Sequence, residues 1–159
     1  KPQELQEKAF QGVGEMVPMV TVLLFSIALG GSLKALGTGD FIASIAAGSL
    51  PPFTVPVILF LSAAMTSFMT GTSWGTYGIL VPIAIPLSQA LGIPPALALA
   101  AVLGGGVFGD HSSPISDTSL IASVASGSEH LSHVRTQLPY ALFTASIACV
   151  LYLIAGLLV

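Results

Sequence analysis

Asp110 and Asp117 are the only acidic residues between Asp40 and Glu129, and both fall in one polar run, Gly109-Asp110-His111-Ser112-Ser113-Pro114-Ile115-Ser116-Asp117-Thr118. Carboxylates among hydroxyls form a hard oxygen donor set, suited to Na+ or a proton and ill suited to soft transition metals. A second polar run, Thr70-Gly71-Thr72-Ser73-Trp74-Gly75-Thr76, adds further hydroxyls. The candidate cation- or proton-binding residues are therefore Asp110, Asp117, Thr72, Ser73, Thr76, Ser112, Ser113, Ser116 and Thr118, with Na+ expected at Asp110 and Asp117. A single Ser or Thr in a helix commonly bonds its own backbone, so the cluster carries more weight than its members. His111 has two readings, as a titrating group that tunes the site or as the partner of a buried carbonyl. Trp74 is a candidate cavity wall, with an aromatic of the membrane interface as the ordinary alternative.

The surroundings of these residues are apolar. The 159 residues are 53% hydrophobic and 7% charged, and no Asp, Glu, Lys or Arg occurs from Phe41 to Gly109 or from Thr136 to Val159. Mean hydropathy is +0.92. Too few ionic groups remain to coat a soluble surface, so the expected solvent is a lipid bilayer. A net charge of -3 without a basic cluster gives no support for a nucleic-acid partner. The single cysteine, Cys149, reads as a small buried hydrophobe. A start at Lys1 with no cleavage pattern reads as a cut and not as a signal peptide.

A crossing needs about 20 apolar residues. Residues 1–15 read as a connector or interfacial helix, Met16 to Leu36 as a first span with Lys34 snorkelling at its end, and Gly37 to Asp40 as a cap for a short interfacial piece, Phe41 to Leu50. Residues 51–95 hold two short apolar arms, each of about 15 residues, or roughly 23 Å of helix, against about 30 Å of hydrocarbon. With the Thr70–Thr76 tip between them they read as a re-entrant hairpin; two thin crossings joined by an exposed turn are the alternative. Residues 96–127 read as a helix broken over Gly109–Thr118, residues 128–137 as a solvated connector that includes Glu129, His130 and His133, and residues 138–159 as a final span footed by Arg135. Gly104, Gly105, Gly106 and Gly109 are expected to allow close helix packing.

Backbone that leaves the helix inside hydrocarbon exposes amides and carbonyls at a cost of several kcal/mol each, so it is retained where it lines a cavity or binds something. An intramembrane carboxylate carries the same implication. A bare carboxylate is disfavoured in such a setting, and either a proton or Na+ relieves it, so the two compete for one group. Placement of the Asp110–Thr118 run in a surface loop would remove that argument. The residues read best as one half of an ion-coupled transporter, an all-α membrane protein and not an enzyme. An intramembrane hydrolase using Asp110 with Asp117, or Ser112 with His111, is the remote alternative.

The runs Gly71–Thr76 and Gly109–Thr118, followed by His133-Val134-Arg135-Thr136-Gln137-Leu138-Pro139-Tyr140-Ala141, resemble the NhaC-type sodium/proton antiporters of the wider ion-transporter superfamily. Ser112 stands where relatives often carry Cys. The resemblance implies the C-terminal half of an inverted-repeat carrier that exchanges Na+ for H+, or, as in some relatives, organic acids or amino acids. It also implies no cofactor beyond the transported Na+ and H+. The expected partners are the bilayer and an N-terminal half of the transporter, with a homodimer left open because the sequence is silent on oligomeric state, and the expected location is the plasma membrane, as a multi-pass protein of a bacterial or archaeal inner membrane.

Overall fold

The computed structural model describes residues 2–38, 41, 44–45 and 50–159. The expected Gly37–Asp40 cap and Phe41–Leu50 piece lie largely outside the described residues. Among those described the chain is helical and contains no strand: α1 (Pro2–Ala35), a 3-10 turn (Pro52–Thr54), α2 (Val55–Thr70), α3 (Ser73–Ala90), α4 (Pro95–Ser112), α5 (Asp117–Ala125) and α6 (His130–Leu157).

Three helices form the body. Val55, Leu59, Phe60 and Ala63 of α2 pack with Ala84 and Leu87 of α3 and with Ala98, Ala101 and Val102 of α4. The α2–α4 contact is so close that a Cβ on Gly105 would strike the Phe60 carbonyl, and one on Gly109 the Ala64 carbonyl. Glycines four apart form a flat strip on one helix face, and the ridge of the facing helix settles into it. The expected packing role of these glycines is what the structure displays. Ser67 adds a buried bond, its Oγ donating to the Gly106 carbonyl at 2.7 Å.

Two boundaries differ from the sequence-based expectation. Residues 2–15, read as a connector or an interfacial helix, are helical and have no boundary at residue 15, because α1 runs through them and through Pro18 as one 34-residue helix. Helix-favouring Glu, Gln, Lys, Leu and Ala residues carry it up to the proline. Residues 130–137 likewise belong to α6 and not to a solvated connector: Glu129 is the N-cap, accepting from the backbone N–H of Leu131 at 3.0 Å and of Ser132 at 2.7 Å. Capping at Glu129 satisfies donors that would otherwise be orphaned, so the helix starts eight residues before the expected span.

Among the described residues, two helices are long and apolar enough to cross a membrane, Pro52–Thr70 and His130–Leu157. The first lies 39% buried within the chain and the second only 6%. α6 touches the body along Ala145, Ala148, Cys149 and Tyr152. Near its C-terminus the Tyr152 hydroxyl donates to the Ala100 carbonyl at 2.9 Å, and Gly156 lies against the backbone of Phe53.

Candidate functional site

The two polar runs meet. α2 ends at Gly71, whose φ of 68° is left-handed and whose N–H bonds the Ser67 carbonyl at 2.8 Å. A Cβ at Gly71 would stand 2.8 Å from the Ile115 carbonyl oxygen, so the tip of the α2–α3 hairpin rests directly on the break between α4 and α5. Glycine is required there twice over, for its φ and for the approach.

The break is shorter than expected. α4 continues through Gly109, Asp110 and His111 to Ser112, and only Ser113–Ser116 leaves the helix, with Ser113 and Ser116 both extended. Asp110 therefore stands in the last turn of a helix, not in unwound chain, because the glycine strip that packs on α2 keeps that turn helical. Each residue of the break is tied to a different place. Ser113 Oγ donates to the Phe68 carbonyl of α2 at 2.7 Å. Pro114 offers its carbonyl to His130 Nε2 at 2.7 Å. Ile115 lies under Gly71. Ser116 Oγ donates to Asp110 Oδ1.

Asp110 is the centre of this arrangement and only 3% exposed. Its Oδ1 also lies 3.3 Å from Thr118 Oγ1, which in turn is 2.7 Å from Ser116 Oγ. Ser116 owns one proton; with that proton on Asp110, Thr118 must donate to Ser116 or to the carboxylate itself. Ser116 is at the same time the N-cap of α5, accepting from the Ser119 N–H. No Lys or Arg occurs between Lys34 and Arg135, and among the described residues no cation pairs with Asp110. Two hydroxyls are thus the side-chain partners that the described residues offer this buried carboxyl.

The other candidates are distributed unevenly. Ser112 is 2% exposed, and its Oγ has no hydrogen-bond partner, unlike every other buried side-chain polar atom among the described residues. It borders two apolar cavities that share Phe108, of about 350 and 450 Å³, and that lie between α6 and the α2–α4 pair. Asp117 begins α5 and is exposed, away from the bonds that hold Asp110. Thr76 is fully buried and donates to the Thr72 carbonyl at 3.1 Å, the ordinary helix back-bond. Thr72 is the N-cap of α3 without a side-chain bond to it, and Ser73 follows in the first turn. His111 is exposed, with Nδ1 3.0 Å from the Val107 carbonyl, so its bond goes to its own helix. It does not reach Ser112, and the hydrolase pairing of the two is not formed. Trp74 is 46% exposed, stands edge-on to Tyr77 at 6.0 Å and borders neither cavity.

His130, which in the sequence forms with Glu129 and His133 only a loose metal-pair pattern in a solvated connector, is tied to the break. Its partners, Pro114 and Ser123, lie 16 and 7 positions away and belong to no common periodicity. Only its place at the start of α6 beside a capping Glu129 hinted at order.

Lipid-compatible helices around a buried carboxyl and a hairpin tip seated on a helix break describe a membrane protein with a buried polar site. Comparison with known proteins agrees: the Na+/H+ antiporter family matches residues 1–157, and the chain belongs to that family. It is similar to the malate-2H(+)/Na(+)-lactate antiporter of Bacillus subtilis, 31% identical over 96% of this chain and 33% of the relative. The arginine/ornithine antiporter ArcD of Halobacterium salinarum is 36% identical over 67% of this chain and 23% of its own length. The Na(+)/H(+) antiporter NhaC of Alkalihalophilus pseudofirmus is 31% identical over 84% of this chain and 30% of the relative. The chain thus spans a third or less of the curated relatives it matches. No solved structure matches it.

Proposed function

We propose that this chain is the C-terminal inverted repeat of a Na+/H+ exchanger of a bacterial or archaeal inner membrane, working with an N-terminal half and the bilayer. Asp110 holds Na+ or H+ in alternation, and no cofactor takes part. In this reading α2 and α3 form a re-entrant hairpin, and its tip and the 113–116 break lie at membrane depth. The observation that carries it is the burial of Asp110 beneath two hydroxyls, with no counter-charge among the described residues, beside a helix break on which the α2–α3 turn rests. One group that must be neutralised by one of two cations supplies the competition antiport needs.

Ser116 and Thr118 orient the carboxyl. Thr72 and Ser73 in the first turn of α3 complete the oxygen set once the remaining helices close over it, with Thr76, whose hydroxyl is spent on its own helix, and Ser112, with an unused hydroxyl, at the periphery. Asp117, exposed on this chain, supplies a second carboxylate from the side on which the other half packs. Trp74 walls the site on that same side, and His111 modulates it from the edge.

The test is Na+-driven proton flux in vesicles containing the full-length protein. Asp110→Asn is expected to reduce flux to background and Asp117→Asn to reduce it less. Full flux with Asn at position 110 would remove the carboxyl from the mechanism.

A second reading keeps the fold and changes the cargo to an organic acid or amino acid. The printed names of the Bacillus and Halobacterium relatives favour it. Competition of labelled Na+ uptake by lactate, malate, arginine and ornithine separates the two.

A further inference from the structure

We propose that His130 is a positioning residue for the ion site, a latch that fixes the 113–116 break from the side of α6. The proposal rests on the antiport reading for its consequence and on the structure alone for its mechanics.

The bond geometry specifies what the imidazole does. A carbonyl oxygen only accepts, so Nε2 must carry the proton in its 2.7 Å bond to Pro114. Nδ1 lies 3.2 Å from Ser123 Oγ of α5, and Ser123 in turn reaches the Leu120 carbonyl at 2.7 Å. One half-buried ring therefore joins the first turn of α6, the body of α5 and the middle of the break. Pro114 lacks an N–H, so its carbonyl is the polar group by which the residue can be held, and it sits between the two serines that anchor the break to α2 and to Asp110.

Without the latch, the middle of the turn, between serines still anchored to Phe68 and Asp110, would keep only the contact of Ile115 with Gly71 and two weak bonds, Ile115 N–H to Ser113 Oγ at 3.3 Å and Ser116 N–H to the Ser113 carbonyl at 3.4 Å. Ser116 would then spend less time over Asp110. Because a slight misplacement of an orienting group is costly at an ion site, the effect should appear in ion affinity before it appears in folding.

Two measurements on the full-length protein test this. Amide hydrogen exchange at Ile115 and Ser116 should rise about fivefold in His130→Ala, the ratio corresponding to a net hydrogen bond of about 1 kcal/mol, while α2 amides stay unchanged. His130→Gln places an amide N–H where Nε2 stands and should restore most of the protection. In vesicles, the half-saturating Na+ concentration should rise about fivefold in His130→Ala with the maximal rate per protein retained, and return in His130→Gln. Unchanged exchange at Ile115 and Ser116 overturns the latch, and so does an equal rise across α2, which would mark a merely structural residue. An unchanged Na+ dependence in actively exchanging protein overturns the link to the ion site. A wild-type protein that moves neither Na+ nor H+ refutes the antiport reading, while amide exchange still decides the latch.

Discussion

At the turn between α2 and α3 the hydroxyls of Thr70 and Thr76 are spent on carbonyls of nearby backbone, whereas at the turn between α4 and α5 those of Ser116 and Thr118 converge on a carboxyl group. Both runs are rich in Gly, Ser and Thr, which make up six of the seven residues from Thr70 to Thr76 and five of the ten from Gly109 to Thr118. What separates them is Asp110. A buried carboxyl recruits hydroxyls away from local back-bonds, while hydroxyls near backbone alone satisfy the nearest carbonyl. The tip, in this chain, is a shaped surface set against the break, and the break is where hydroxyls gather on a carboxyl.

The largest effect that would break this contrast is expected at the contact between the two turns. Gly71→Val forces a β-branched residue into a left-handed conformation and against the Ile115 carbonyl, and should destabilise the full-length protein by about 3 kcal/mol, read as a fall in melting temperature. Ser116→Ala removes a donor from the carboxylate and should raise the half-saturating Na+ concentration about tenfold at fixed pH, because a hydrogen bond to an ionised group contributes roughly 1.5–3 kcal/mol. Thr76→Ala, which deletes a back-bond at the tip, should shift the same quantity less than about twofold. Equal losses in the last two variants would place the tip hydroxyls in the site on the same footing as those of the break.

The smallest effect concerns the frame that carries His130. Backbone N–H bonds from Ser132 and Leu131 hold the exposed Glu129 carboxyl below its usual 4.5. A carboxyl lowered on folding adds stability that is fully present above its unfolded value and lost as pH falls through the lowered one. Amide protection in the first turn of α6 should therefore be level at neutral pH and decline below about 4.5 in wild type. Glu129→Gln should abolish that pH dependence.

Some of this was legible in the residues. The helix stop at Gly71 and the close approach at Gly105 and Gly109 follow from glycine chemistry alone, and the scarcity of charge identified lipid as solvent. The extent of the break was not legible, because Gly109 and Ser112 disfavour helix locally while packing against α2 and the Ser113–Phe68 bond keep α4 intact to Ser112. The separate behaviour of Asp110 and Asp117 was also hidden. Seven positions apart they look equivalent, yet one closes a buried helix and the other opens an exposed one. His130 was invisible because its contact crosses between elements.

The competition of Na+ and H+ for Asp110 can be observed without transport. Na+ added to lightly buffered, detergent-solubilised full-length protein should displace protons, measured with a pH-indicator dye, and Asp110→Asn should release none. Proton release of undiminished size from the Asn variant would contradict the assignment of Asp110 as the shared binding group.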